Sequence, residues 1–436
     1  MLVMKFGGTS VGSSERIKAL VKLVVSEQNK IVVLSAMAGT TNSLVEICNS
    51  LYNKETEKAN QQINSLEEKY FQEIQKLYTT NENRERGKEL IKSHFDYLRS
   101  FTQDMFTLFE ERAVLAQGEL ISTAMFHFYL KEININSILL PALNFMRIDE
   151  NDEPDYISIK ENLNKELEKY PNQKLFITQG YICRNAFGEI DNLKRGGSDY
   201  TASIIGGVLK AKEIQIWTDI DGMHNNDPRI VEGTKPIAKL SFDEAAELAY
   251  FGAKILHPQS VFPAQQNHVP VRLKNTMQPE AEGTIISDHS DGTGIKAIAA
   301  KDDITAIKIK SGRMLLAYGF LRKVFEVFEI YKTSIDMITT SEVAVSLTID
   351  NNKNIAEITQ ELEKFGQVEI DENLTIICIV GDLVAESKGL ALTIFDALKN
   401  IPVRMISYGG STHNISVLIK TENKKEALNA LHKKLF

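Results

Sequence analysis

The sequence predicts an α/β protein in which a mainly parallel sheet is sandwiched by helices and followed by two smaller modules of βαββαβ order. Three observations carry that reading. Short apolar runs that suit buried strands alternate with segments of helical periodicity. Three glycine turns each follow such a run and lead into a helix. Finally, the C-terminal part repeats itself: Gly319 and Gly389 stand 70 positions apart, as do Ser346-Leu-Thr-Ile and Ser416-Val-Leu-Ile.

The elements follow in order. Residues 2–6 read as a short apolar strand, Gly7-Gly8-Thr9-Ser10 as a turn, and 14–27 as a helix with Ile17, Leu20, Val21 and Val24 at helical spacing. A second strand, 31–34, runs into Ser35-Ala-Met-Ala-Gly39-Thr-Thr-Asn42 and another apolar helix. From Lys54 to Leu108 the chain is polar, with Leu66, Tyr70, Ile74 and Leu77 three or four apart, which predicts helices packed beside the core. The alternation resumes with a strand at 175–178, the turn Arg195-Gly-Gly-Ser-Asp199, a helix to Leu209, a strand at 213–218 and a helix at 241–251. Pro279 to Gly294 reads as the exit from this domain. In each repeat a glycine opens an amphipathic helix, two strands follow, and a second helix closes the unit at 355–365 and 424–435.

Composition narrows the function. Over 436 residues, 43% hydrophobic and 25% charged content is that of a folded globular protein. A net charge of −8 gives no global field for nucleic acid or an anionic membrane, so neither partner is expected. Cys48, Cys183 and Cys378 are far apart and match neither a disulfide framework nor a zinc site. The start has only four apolar residues before Lys5, and no run approaches the ~18 of a membrane span, so a cytoplasmic location is expected.

Phosphate chemistry is the first candidate, because free N–H groups at a helix start suit an anion. Gly7-Gly8, Gly39 and Gly196-Gly197 are placed for it, although each alone also fits an ordinary tight turn. The chain lacks G-x-x-x-x-G-K-[ST], the H-R-D and D-F-G set, and G-x-G-x-x-G, which disfavours a P-loop NTPase, a protein kinase and a Rossmann dehydrogenase. Lys5 ends a buried strand as a cation beside the first turn, where it could offset charge on a transferring phosphoryl group. Arg195 could grip a carboxylate in two places. Ser198 could cap a helix beginning near Tyr200, and Asp199 adds an acid at the same spot. Trp217-Thr-Asp-Ile-Asp-Gly222 and Asn226-Asp-Pro-Arg229 follow a strand end, where α/β sheets bind ligands. Glu119 could pair with an ammonium group, or simply sit at a helix start.

Those residues together resemble the aspartate kinases of the amino-acid-kinase fold. The resemblance runs nearly end to end, through Lys5-Phe-Gly-Gly-Thr-Ser10, Ser35 to Asn42, Gln117-Gly-Glu119, Arg195 to Ala202, Trp217 to Gly222, Asp227-Pro-Arg229 and Glu247 to Pro258. It implies transfer of a phosphoryl group from ATP, with Mg²⁺ carried by the phosphates and no dedicated metal site, to the side-chain carboxylate of L-aspartate, the first step of lysine, threonine and methionine biosynthesis. Lys5 and Asp199 are implied as catalytic. Lys5, Gly7, Gly8, Ser10, Thr218, Asp219, His224, Arg229 and Lys254 are implied at ATP, and Thr41, Glu119, Arg195 and Ser198 at aspartate. Three positions depart from the family pattern: Lys194 stands for a usual glycine, His224 for a tyrosine, and Tyr408-Gly-Gly for Gln-Gly-Ala.

The repeats resemble paired ACT domains. The resemblance implies a catalytic domain over 1–290, a first ACT module at 311–368, and a second built from 296–310 plus 369–436 around it. It also implies a homodimer or homotetramer through these modules and feedback inhibition by L-lysine at Gly319, Leu321, Ser334 and Asp336, with Asp336 suited to the effector's ammonium. Threonine as effector stays open, as do two rival readings: a glutamate kinase and a catalytically silent amino-acid sensor.

Overall fold

The computed structural model describes residues 1–103, 105–193, 196–252, 256–289, 294–312, 318–382 and 384–436. They form two compact units, one of residues 1–223, 238–242 and 255–289, the other of 224–237, 243–254 and 290–436. The expected catalytic stretch 1–290 thus lends two short segments, 224–237 and 243–254, to the second unit. Val231 explains the first of them, since it is buried in the C-terminal core with Ile377, Ile394 and Leu428.

The first unit is built on an eight-stranded sheet. Its strands lie in the order Ile138–Leu140, Leu175–Gln179, Lys30–Leu34, Leu2–Phe6, Glu213–Thr218, Val271–Asn275, Thr284–Ser287 and Lys239–Ser241. All neighbours are parallel except Thr284–Ser287 against Val271–Asn275. Lys30–Leu34 is buried at every position, which is why its residues 31–34 read as a continuous apolar run. The first strand alternates instead. Leu2, Met4 and Phe6 join a core with Ile17, Leu20, Leu44, Ile47, Ile121 and Met125, and Val3 and Lys5 point to the other face, where the helix Gly197–Val208 packs.

Two long helices, Thr56–Leu77 and Asn81–Ser100, fill the polar stretch as its periodicity predicts, and a third, Leu108–Glu132, follows it. Tyr70, Ile74 and Phe95 are fully buried between them, and each such side chain contributes roughly 1.5–3 kcal/mol relative to exposure. Thr107 opens the third helix with a complete capping box to Glu110.

The second unit carries a six-stranded sheet in the order Ile338–Thr340, Ala344–Ile349, Gly294–Lys310, Gln367–Asp382, Asn414–Lys420 and Val403–Tyr408. Gly319 and Gly389 cap the helices Phe320–Ile330 and Leu390–Ala397 with φ of 77° and 78°, so the repeated glycines do the same work in both modules. One boundary differs from expectation. Residues 296–310 are expected in the C-terminal module, but Thr305 to Lys310 pair on one side with Ala344–Ile349, and Ile307 and Ile309 are buried with Phe320, Val324 and Leu362 of the first, while the other side of the same segment pairs with the start of Gln367–Asp382. Only the strand's earlier half, which includes Ile298, packs with Ile377 and Ile394 of the second module. The division falls at the register irregularity between Lys301 and Ile304, a local feature with no signature in apolar patterning.

Candidate active site

Parallel pairing aligns the C-terminal ends of four strands. Phe6 lies opposite both Leu34 and Trp217, and Leu34 lies opposite Gln179. The turns that follow are held in one row by backbone bonds from Ser35 N–H to the Phe6 carbonyl, Gly7 N–H to Trp217 and Gly180 N–H to Leu34. This edge is where ligands bind in such sheets, and it gathers most of the residues singled out in the sequence.

Lys5 reaches across the first turn. Its Nζ lies 2.7 Å from Asp199 Oδ1, with side-chain exposures of 11% and 17%, and 3.4 Å from where a Cβ on Gly7 would stand. Ser10, at the end of the same turn, shares a 2.8 Å hydrogen bond with Thr276, whose hydroxyl donates to the Thr218 carbonyl. The glycine turn and the end of the strand Glu213–Thr218 are thereby tied together. Asp219 beyond it is exposed.

Asp199 comes from the first turn of the helix Gly197–Val208. That helix starts earlier than expected, so Ser198 lies inside it and does not cap it; the N-cap is Gly196, at φ 63° and without a side-chain cap. First-turn N–H groups left without a side-chain acceptor suit an anion. Ser198 instead receives a hydrogen bond from the Ser35 hydroxyl at 2.9 Å. Gly180 permits that approach, because a Cβ there would stand 2.3 Å from the Ser198 Cβ and Oγ. Thr41 lies exposed in the first turn of the helix Thr40–Tyr52, whose N-cap is Gly39 at φ 82°.

Glu119 sits mid-helix and not at a surface helix start, and it is only 4% exposed. The Ala36 N–H donates to its Oε1 at 3.1 Å, while Oε2 is buried without a hydrogen-bond partner among the described residues. Burial pushes its carboxyl up to about 7, opposed by the Ala36 N–H and the Lys5 charge. A buried carboxylate with one unsatisfied oxygen is poised for a cation or a donor.

Arg195 and Lys254 fall outside the described residues. His224 and Arg229 belong to the second unit. His224 is half-buried, with Nδ1 3.2 Å from the Thr234 hydroxyl, and Arg229 is exposed and forked onto Asp227 at 2.9 and 2.7 Å.

In the first of the two repeats, Gly319 and Ser334 are exposed and Leu321 packs against the repeat's core. The Asp336 side chain is fully buried and already engaged: Lys301 Nζ lies 2.9 Å from its Oδ1, and the Tyr250 hydroxyl donates to the same oxygen at 2.6 Å. Lys301 also reaches Asp350 at 2.8 Å and lies over the Tyr250 ring.

Sequence reasoning missed Tyr181. It is a non-glycine residue at φ 66° directly after Gly180, with a hydroxyl pushed up to about 12 by burial and by Glu119. Its N–H donates to Thr201 and its carbonyl accepts from Leu193. A tyrosine after a buried strand's closing Gln-Gly was the available signal, but nothing in the pattern marks a positive φ.

Comparison with known proteins identifies the family. The amino acid kinase family matches residues 1–275 and an ACT domain matches 377–435. Lysine-sensitive aspartokinase 3 of Escherichia coli is 32% identical across 100% of this chain and 99% of its own length, and the chloroplastic aspartokinase 1 of Arabidopsis thaliana is 34% identical across 100% and 80%. Two crystal structures of E. coli aspartokinase III superpose over the whole chain: one in complex with lysine and aspartate (32% identity, TM-score 0.84, 99% of that chain), the other with aspartate and ADP (31%, 0.85, 100%). The chain therefore belongs to the amino acid kinase family and, within it, to the aspartokinases.

Proposed function

We propose that the chain transfers the γ-phosphoryl group of ATP, taken up as its Mg²⁺ complex, to the side-chain carboxylate of L-aspartate, giving 4-phospho-L-aspartate, and that L-lysine inhibits it. One observation carries the catalytic part: the Lys5–Asp199 ion pair lies at the same strand edge as a buried, half-satisfied Glu119. The nucleophilic carboxylate is ionised near neutral pH, so no general base is required. Catalysis then consists of positioning and charge neutralisation. Lys5, held by Asp199, offsets charge on the transferring group. Gly7, Gly8 and Ser10 line the phosphates, with Thr218 and Asp219 at the next strand end and His224, Arg229 and Lys254 on the nucleotide. Glu119 takes the substrate's ammonium group on its free oxygen, while Thr41, Arg195 and Ser198 hold the rest of aspartate.

The aspartate–ADP and lysine–aspartate complexes of the E. coli relative support both substrates and the effector. For inhibition, lysine's ammonium would meet Asp336 and so compete with Lys301 for the same oxygen. An effector bound at ACT modules acts by favouring one arrangement over another, which fits assembly of the chain as a dimer or tetramer through those modules. The test is the initial rate of ADP release with L-aspartate as sole acceptor, with and without L-lysine or L-threonine. Aspartate-dependent release that lysine saturably suppresses is expected; release indifferent to aspartate overturns the reading.

A further inference from the structure

We infer that Arg112 and Asp191 are positioning residues that hold the two walls of the amino-acid pocket at a fixed separation. The inference rests on the aspartokinase reading of that pocket. One wall is the helix Leu108–Glu132, which carries Glu119; the other is the start of the helix Gly197–Val208, which carries Ser198 and Asp199. Arg112 lies seven residues before Glu119, about two turns along the same helix face. Its Nη1 donates to Asp191 Oδ2 at 2.5 Å, with side-chain exposures of 15% and 2%. Asp191 is the middle residue of the strand Ile190–Asn192, the last element before the glycine turn at Gly196.

A chain of bonds continues from Asp191 to the second wall. Its Oδ1 accepts the Asn192 N–H at 2.7 Å, the Leu193 N–H donates to the Tyr181 carbonyl at 2.7 Å, and the Tyr181 N–H donates to Thr201 Oγ1 at 2.9 Å. Thr201 lies in the first turns of the helix that carries Ser198 and Asp199. Among the described residues Ile190–Asn192 pairs with Ile182–Arg184 alone, in a two-stranded sheet outside the main one. Among the described residues no ladder of the eight-stranded sheet fixes the hairpin against the helix of Glu119; the strand packs directly on that helix, and the Arg112–Asp191 pair adds a directional, charged contact that sets how it sits there. A guanidinium suits the task because its planar fork directs its bonds, whereas an ammonium does not.

A pair that merely stabilised the fold would affect both substrates alike. Steady-state kinetics on the full chain, varying aspartate and ATP separately, tells the two roles apart. Arg112→Met is expected to raise KM for aspartate about tenfold or more, with KM for ATP within about twofold, while Arg112→Lys falls between it and wild type. Asp191→Asn should match Arg112→Met, and the double variant should be no worse than either single one, because both act through one contact. Equal rises in the two KM values, additive losses, or an unchanged KM for aspartate would overturn the inference. Should Arg112→Met fail to fold by circular dichroism, the same split in Arg112→Lys and Asp191→Asn decides. Absence of aspartate-dependent turnover in the wild type would instead overturn the underlying reading, and it would show before any variant is made.

Discussion

Lys5 and Asp199 meet at 2.7 Å, one from the end of the first strand, the other from the first turn of a helix nearly 200 residues later. Strand alternation sends Lys5 to the helix-bearing face, and its ammonium lies beside the glycine turn, 3.4 Å from where a Cβ on Gly7 would stand. The pair fixes a cation at the strand edge where the proposed function puts the transferring phosphoryl group.

Lys5→Ala should therefore lower kcat by on the order of 10² or more, as loss of a preorganised charge contact does. Single-turnover measurement of phosphoryl transfer checks this directly. Near-wild-type turnover would remove Lys5 from the mechanism.

With Glu119 on the substrate's ammonium group, as proposed, aspartate binding should depend on pH. Burial disfavours the charge and pushes the Glu119 carboxyl up to about 7. A substrate ammonium favours the ionised form, so affinity for aspartate should rise as pH increases through about 7 and level off above it. A profile of kcat/KM for aspartate between pH 5.5 and 8.5 should show this rise, on the order of tenfold per pH unit at its steepest. In Glu119→Gln the rise should vanish and KM for aspartate should increase. A flat wild-type profile would contradict the assignment.

Asp336 gives a test of regulation. Asp336→Asn keeps the shape but removes the charge, and Lys301 retains Asp350 as its partner. The lysine concentration that halves the rate, read against the variant's own uninhibited rate, should rise about tenfold or more, the loss of roughly 1.4 kcal/mol of effector binding. Unchanged inhibition would place the effector elsewhere.

Gly180→Ala tests the packing of the substrate wall. The added methyl would stand 2.3 Å from Ser198, so the strand end and the helix must separate. Overpacking of this kind costs about 1–3 kcal/mol, and a melting temperature lower by several degrees is expected, together with a raised KM for aspartate. A variant with wild-type melting and KM would show that the contact yields freely.

Much of this was legible in the sequence, because the strongest signals are local. The apolar run 31–34 and the glycine turns each follow from one stretch of chain, and the 70-residue recurrence of Gly319 and Gly389 from comparing two such stretches. What stayed hidden depends on contacts between distant residues. The start of the helix at Gly197 was misplaced because Ser198 has the composition of a cap, while the backbone turns at Gly196. Glu119 looked like a surface residue because its helix is long and nearly all buried, without the amphipathic pattern that separates inside from outside. Asp336 matched a ligand for a free lysine, and only the fold shows Lys301 and Tyr250 already on its carboxylate. Arg112 and Asp191 are 79 residues apart, and no spacing rule joins them.

The central claim is the reaction itself, and its product is an acyl phosphate that hydroxylamine traps as a stable hydroxamate. Purified protein supplied with ATP, Mg²⁺ and hydroxylamine should form hydroxamate with L-aspartate and little or none with L-glutamate. No hydroxamate with aspartate, or equal formation with glutamate, would contradict the account.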